Sequence, residues 1–301
     1  MRLAILADIH ANIYAFEAVI ADLAKQKPDQ IIINGDVVNR GPDNAKVIER
    51  IKDLSHDYDC KVLLGNHDDL ICMWADQSLK LPQEWFADPF WQSTAWVANQ
   101  LSQAGQLDYL RDLPMTYQLE SHHGRILISH GSPRHYREGY GKLLSDESLA
   151  EISEMHPADI YIGSHTHQPM KRHFGHKLIL NTGAVGTPFN RDPRAQYLIL
   201  DLAEELRCDF RAVAYDQEAA IGCFEASEYL AKGDLSAFIF GLELKLSRGI
   251  YGRFWIWTEQ LDYPRNWQTW QEFCQNYPEI FNESPTMADM IGKAPSFDLI
   301  L

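Results

Sequence analysis

Residues 1–68 read MRLAILADIHANIYAFEAVIADLAKQKPDQIIINGDVVNRGPDNAKVIERIKDLSHDYDCKVLLGNHD. Three apolar runs, at residues 3–7, 31–33 and 62–64, have the length of buried strands. Between the first two, Ala15, Ala18, Val19 and Leu23 recur at helical spacing until Pro28 breaks the chain. Between the second and third, Pro42 stands where a helix begins, and Ala45, Ile48, Ile51 and Leu54 mark its apolar face. Strand–helix–strand–helix–strand predicts a parallel sheet covered by helices.

Working outward, residues 70–113 turn helical and aromatic, with Trp74, Trp85, Phe86, Phe90, Trp91 and Trp96. Strand-like runs return at 115–119, 126–129, 160–162, 178–180 and 197–202, and a turn at 203–205 leads into another at 207–213. The whole reads as an α/β protein, a four-layer α/β/β/α sandwich of two mixed sheets flanked by helices. A catalytic domain is expected over 1–215, with the aromatic helical insertion inside it. Residues 216–301 form a C-terminal helical and aromatic extension, a lid or a dimer surface. Within it a helix is predicted over 217–232, ended by Gly233. The apolar tail 296–301 is expected to dock on its own domain or on a partner. The two aromatic segments, from Trp74 to Trp96 and from Trp255 to Trp270, are expected to be core rather than a nucleobase-stacking cap.

The chain has 301 residues, 46% of them apolar, enough for a full core. No segment has the apolar length of a membrane span, and the N-terminal run is broken by Asp8 and His10 before it could serve as a signal peptide. Five scattered cysteines without a CxxC pair suit a reducing, cytoplasmic compartment. A formal charge of −15 excludes broad binding to nucleic-acid backbones. It does not exclude a phosphate substrate, because divalent cations in a pocket reverse the local field.

Five polar sets follow strand-like runs: Asp8-Ile9-His10, Gly35-Asp36, Gly65-Asn66-His67-Asp68, His130-Gly131 and His165-Thr166-His167. Loops beyond strand C-termini gather in space, so the placement groups these residues. Singly, a DxH or HxH is usually a surface pair; the ordered set of five is the signal. Carboxylates, imidazoles and one amide, with no thiol, suit Mn²⁺ first and Fe, Zn or Ni as alternatives. In extended chain, residues i and i+2 point the same way, so Asp8 and His10 should address one ion and His165 and His167 a shared site. Asp36 could bridge two ions, which would clamp a phosphate and generate hydroxide near neutral pH.

This series resembles the calcineurin-like metallophosphoesterase superfamily, whose pattern is DxH, GD, GNH(D/E), H and GHxH, over residues 1–215. The segments around those motifs, with Asn181-Thr182-Gly183-Ala184-Val185-Gly186-Thr187-Pro188, are most similar to its small prokaryotic phosphodiesterase branch. The resemblance implies that Asp8, His10 and His167 hold the first metal, Asn66, His130 and His165 the second, and that Asp36 bridges. It implies that His67 contacts the scissile phosphate and stabilises or protonates the leaving oxygen. Two positions depart from the pattern: Ser164 stands where glycine usually precedes the final HxH, and Ala11 follows His10 where glycine is common.

Gly35-Asp36-Val37-Val38-Asn39-Arg40-Gly41 is similar to the GDxVDRG motif of serine/threonine protein phosphatases, whose arginine binds phosphate. Asn39 replaces that motif's aspartate, and Leu64 stands where those enzymes carry a second arginine. Arg40 and Asn66 are thus the expected substrate contacts, with a solvated loop arginine as the alternative for Arg40. Arg134, His135 and Arg137 could line the entrance or lie solvated; His122 and His123 read as surface; Asp68 and Asp69 read as helix-dipole partners. The expected function is dinuclear hydrolysis of a small phosphodiester or nucleotide-like ester. The alternatives are a protein phosphatase of the same fold and a non-catalytic metal-stabilised scaffold. A homo-oligomer is expected as an option for the extension, and no membrane partner.

Overall fold

The computed structural model describes residues 1–300. In chain order the elements are β1 Arg2–Leu6, α1 Ile13–Gln26, β2 Gln30–Asn34, α2 Asn44–Asp57, β3 Cys60–Leu63, α3 Asn66–Ala75, α4 Gln92–Gln103 and α5 Leu107–Arg111. Then come β4 Thr116–Ser121, β5 Gly124–Ser129, α6 Asp146–Met155, β6 Ile160–Gly163, β7 Met170–Phe174, β8 Lys177–Asn181, β9 Ala195–Leu202 and β10 Leu206–Val213. The chain closes with α7 Gln217–Ala226, α8 Tyr229–Leu246, α9 Tyr251–Leu261, α10 Trp267–Asn276 and β11 Asp298–Ile300.

One sheet has the order β10-β9-β1-β2-β3 and the other β11-β7-β8-β6-β5-β4. In the first, β1, β2 and β3 run parallel and β9 antiparallel, as the alternation of the opening residues predicts. In the second, β5, β6 and β8 run parallel, while β4 runs antiparallel to β5 and β7 antiparallel to β8. Period two sorts each strand between layers. Leu3 and Ile5 of β1 pack with Ile126, Ile128, Ile160 and Leu180 between the sheets. Ala4 and Leu6 face outward with α1 and α2 residues such as Phe16 and Ile48. On the far side Leu127, Tyr161 and Ile179 pack under Leu149 and Ile152 of α6. This is the α/β/β/α sandwich.

Strand β7 was hidden in the sequence because MKRHF buries only Met170 and carries charge on an outer strand. The C-terminal tail docks on its own domain: β11 pairs parallel with β7, and Phe297 stacks on Phe210. The last residue of that expected segment, Leu301, lies outside the described residues.

The helix expected over 217–232 is interrupted at Ser227 and Glu228, and its second part does stop at Gly233, where Asp234 leaves helical geometry. The helix α7 stops at Ala226, Glu228 takes a left-handed φ of 62°, and α8 resumes beyond the break at Asp234 (φ 49°). A Cβ on Gly233 would sit 3.1 Å from that of Ser93 in α4. The glycine therefore serves close helix–helix approach, sealed by the Ser93–Ser236 hydroxyl contact at 2.6 Å. The insertion and the extension share one aromatic core. Trp85 stacks on Trp91 at 3.9 Å, and both meet Trp255 edge-on.

Candidate metal centre

The loops after β1, β2, β3, β5 and β6 meet at one end of the sandwich. Backbone bonds lace them together: Asp8 N–H to Gly35 C=O at 3.1 Å, His10 N–H to Asp36 C=O at 3.0 Å, and Ser164 N–H to His130 C=O at 2.8 Å. Asp8, His10, Asp36, His130 and His167 are almost wholly buried.

Their side chains converge. His10 Nε2 lies 3.2 Å from His167 Nε2, and His167 Nε2 lies 3.2 Å from Asp8 Oδ1. His130 Nε2 lies 3.2 Å from both Asp36 Oδ2 and Asn66 Oδ1. Three groups have ligand atoms within 4.8 Å of one another: Asp8, His10 and His167; Asp36, His130 and His165; and His10, Asp36 and His67. Asp36 belongs to two of them, and His10 links the third to one of these.

The ring orientations suit metal ligation. Nδ1 of His130 faces Asn34 C=O at 2.8 Å, and Nδ1 of His167 faces Thr187 C=O at 2.5 Å. A carbonyl at Nδ1 holds the proton there and leaves the Nε2 lone pair for the centre. Asp8 Oδ1 and Asp36 Oδ2 are buried with no hydrogen-bond partner. Two orphan carboxylate oxygens beside imidazole nitrogens are costly without cations and fit them well.

The i, i+2 argument needs correction. Asp8, His10, Asp36, His165 and His167 all have left-handed φ, between 48° and 64°. The ligand loops coil rather than extend, which is local strain of the kind that accompanies function. In consequence His165 and His167 point to different groups rather than a shared one.

Electrostatics follow from burial and neighbours. Burial opposes protonation of His130, but the carboxylates of Asp36 and Asp8 push it up to about 10. Burial lowers His67 to about 3, with Asp36 opposing and Arg40 and Arg137 assisting. Burial and then the charge of His130 bring His165 down to about 3.

Asp68, read from the sequence as a helix-dipole partner, is a brace of the site. Asp68 is fully buried and accepts from four backbone N–H groups, those of Asp36, Val37, Val38 and Gly65, at 2.8–3.2 Å. It is the post around which the Asp36 loop is wound, beyond any helix-dipole role. Burial and the charge of Asp36 push its carboxyl up to about 7 against those donors. Gly65 is obligatory: a Cβ there would stand 2.1 Å from Asp36 N and Oδ1. Asn181 braces the His165 loop through Ser164 C=O (2.6 Å) and Thr166 Oγ1 (3.0 Å). Gly186 N–H bonds Asp8 C=O at 2.8 Å. Ser164, the departure from pattern, is accommodated in a hydroxyl network with Asn34 and Thr182, both at 2.9 Å.

Arg40 is buried and ion-paired with Glu243 of α8, its guanidinium 4.8 Å from the Phe240 ring centre and 5.4 Å from that of Phe189. It is not a solvated loop arginine. Asn39 Oδ1 accepts from Arg40 N–H, so its Nδ2 donates to His67 Nδ1 at 3.0 Å. Arg134 is ion-paired with Glu138 and Glu151. His122 and His123 share Ala203 C=O on the surface hairpin.

A family model described as calcineurin-like phosphoesterase matches residues 1–169. An uncharacterized protein of Methanocaldococcus jannaschii is 25% identical over 72% of this chain and 89% of its own length. Phosphodiesterase YfcE of Escherichia coli is 26% identical over 67% of this chain and 88% of its own. Among solved structures, a metallophosphoesterase from Sphaerobacter thermophilus has a TM-score of 0.64 at 26% identity, covering 82% of this chain and 99% of that one.

Proposed function

The chain belongs to the calcineurin-like phosphoesterase family, and on that premise we propose that it is a two-metal phosphodiesterase acting on a small, nucleotide-like ester. It is a metal-dependent hydrolase. The observation that carries the finer reading is the pair of orphaned, buried oxygens, Asp8 Oδ1 and Asp36 Oδ2, among imidazole Nε2 atoms. In this proposal Asp8, His10 and His167 hold one ion, Asn66, His130 and His165 the other, and Asp36 stands between them. Mn²⁺ is proposed, with Fe, Zn or Ni as alternatives. Bound ions of this kind polarise a phosphoryl group and activate water at neutral pH.

The chain's own residues supply the rest. His67 is neutral at pH 7, with Nδ1 accepting from Asn39, so its proton sits on Nε2. It acts as a hydrogen-bond donor to the phosphate or leaving oxygen, and the protonating role implied by resemblance is set aside. Arg40 meets phosphate with the edge that Glu243 leaves free, its buried Nε being without a partner. Asn66 is the second proposed substrate contact. A shared Arg40 and an apolar Leu64 favour a diester over the phosphoprotein reading, and the likeness to YfcE supports the diester. The five free thiols support a reducing, cytoplasmic setting, and among the described residues no helix is long and apolar enough to cross a membrane.

The test compares bis-p-nitrophenyl phosphate with p-nitrophenyl phosphate under Mn²⁺. Faster diester turnover, falling on the order of 10²–10³-fold in Asp36→Asn, is expected. Preference for the monoester, or full activity in Asp36→Asn, contradicts the proposal.

A further inference from the structure

Phe189 is a partition. One side of its ring stacks on His167, 4.2 Å between centres and 14° from parallel, and its N–H bonds His167 C=O at 3.0 Å. It also lines a cleft of ≈ 210 Å³ with Gln168, Arg191, Arg248, Arg253 and Glu279. The cleft is thus one aromatic ring from the metal centre, at the seam between the sandwich and the extension.

Three arginines share this cleft, and among the described residues none has a carboxylate within ion-pair distance; the lining Glu279 is exposed and bridges to none of them. That is unusual for a chain of charge −15, in which Arg2, Arg50, Arg111, Arg125, Arg134, Arg172 and Arg194 are all paired.

Arg248 is the built member. It is 7% exposed, and its guanidinium donates only to neutral carbonyls, those of Glu279 (2.9 Å), Ile280 (2.7 Å) and Glu283 (3.3 Å). Its buried Nε has no partner. Burial first, and then the charges of Arg191 and Arg253, hold its guanidinium below the usual arginine range, so the three cations feel one another. Arg191 is set in place by a left-handed φ of 65° and a bond from its N–H to Ser247 C=O at 3.0 Å.

Three guanidinium groups held together without acids repel, and an anion relieves that repulsion. Guanidinium forks match phosphate oxygens in shape and charge. We infer that this cleft is a second anion subsite, which binds a phosphate group distinct from the scissile one. Its occupant is a further phosphate on the substrate, or free phosphate or pyrophosphate; the shared chemistry is a phosphoryl dianion. Only the substrate assignment rests on the phosphodiesterase reading.

The experiment titrates inorganic pyrophosphate into metal-stripped full-length protein by calorimetry, using wild type and the Arg191→Ala/Arg253→Ala variant. Both replaced side chains are exposed, and thermal melts check that the variant folds. Affinity is expected to fall about tenfold or more in the variant. Equal binding by the two proteins, or no binding by wild type, overturns the inference.

Two p-nitrophenyl esters of thymidine 5′-phosphate, with and without a 3′-phosphate, then separate the sources in the Mn²⁺-loaded enzyme. A drop of about tenfold in the variant's kcat/KM ratio between them assigns the subsite to the substrate. A constant ratio alongside lost pyrophosphate binding assigns it to the free anion. If neither ester is turned over, the phosphodiesterase reading fails while calorimetry still decides the cleft.

Discussion

Asp36 uses its two oxygens differently. Oδ1 accepts the His67 N–H at 2.7 Å, and Oδ2 is turned toward His130 without a hydrogen-bond partner of its own. Its backbone is held by Asp68, whose replacement tests how far ligand geometry depends on that support. Asp68→Asn puts an amide NH₂ against backbone N–H donors, and a loss of about 2–4 kcal/mol in urea unfolding is expected, with weaker Mn²⁺ binding. Unchanged stability and affinity would remove Asp68 from the account. A second prediction concerns protons. His130 is raised to about 10 in the metal-free protein, so its charged pairing with Asp36 and Asp8 contributes stability fully below the unfolded value near 6.5. That contribution is lost as pH rises toward about 10. A metal ion must displace this proton, so apparent Mn²⁺ affinity should rise about tenfold per unit between pH 6 and 8. Calorimetry in buffers of different ionisation enthalpy should register the released proton; a pH-independent affinity would contradict the assignment.

At the scale of elements, the extension is joined to the loop after β2 through a buried ion pair. Glu243 of α8 pairs with Arg40 and also accepts from Ile250 N–H (2.6 Å) and Tyr251 N–H (2.7 Å) at the start of α9. Removing the acid leaves a buried guanidinium and two N–H groups unmatched. Glu243→Ala should therefore cost about 3–5 kcal/mol, and much of that should return in Arg40→Met/Glu243→Leu. Equal stability of wild type and Glu243→Ala would show the pair to be incidental. This contact was not legible in the sequence, because nothing local connects residue 40 with residue 243. Gly233 marks a helix break at Asp234 as expected, but its second use was hidden for a related reason. That use is set by Ser93 on another helix, whereas the cap rule considers only its own chain. By contrast β1, β2, β3, α1 and α2 were legible, because the strands are short continuous apolar runs, β1 and β2 buried on both faces, and each helix shows its apolar face within a few residues.

For the whole molecule, the sandwich was legible because apolar runs of strand length alternate with helical periods and then recur down the chain, and the runs that carry Leu3 and Ile5, and Ile126 and Ile128, meet between the sheets. The proposed ligand set was legible as a list of neighbours, since Asp8, His10, Asp36, Asn66, His130, His165 and His167 all arrive at one end of the sheets. Spacing alone did not give their grouping, because left-handed φ values turn His165 and His167 apart; the family resemblance had put His167 with Asp8 and His10, and His165 with His130. The cleft with Arg191, Arg248 and Arg253 was also invisible, since it forms only where the extension meets the loop after β8. The central claim is that these residues hold two ions and that hydrolysis requires both. Its most direct test is bis-p-nitrophenyl phosphate hydrolysis by metal-stripped protein as Mn²⁺ is added in known equivalents. The account predicts no turnover without metal and a rise that saturates at about two equivalents per chain. Turnover by the stripped protein, or saturation at a single equivalent, would contradict it.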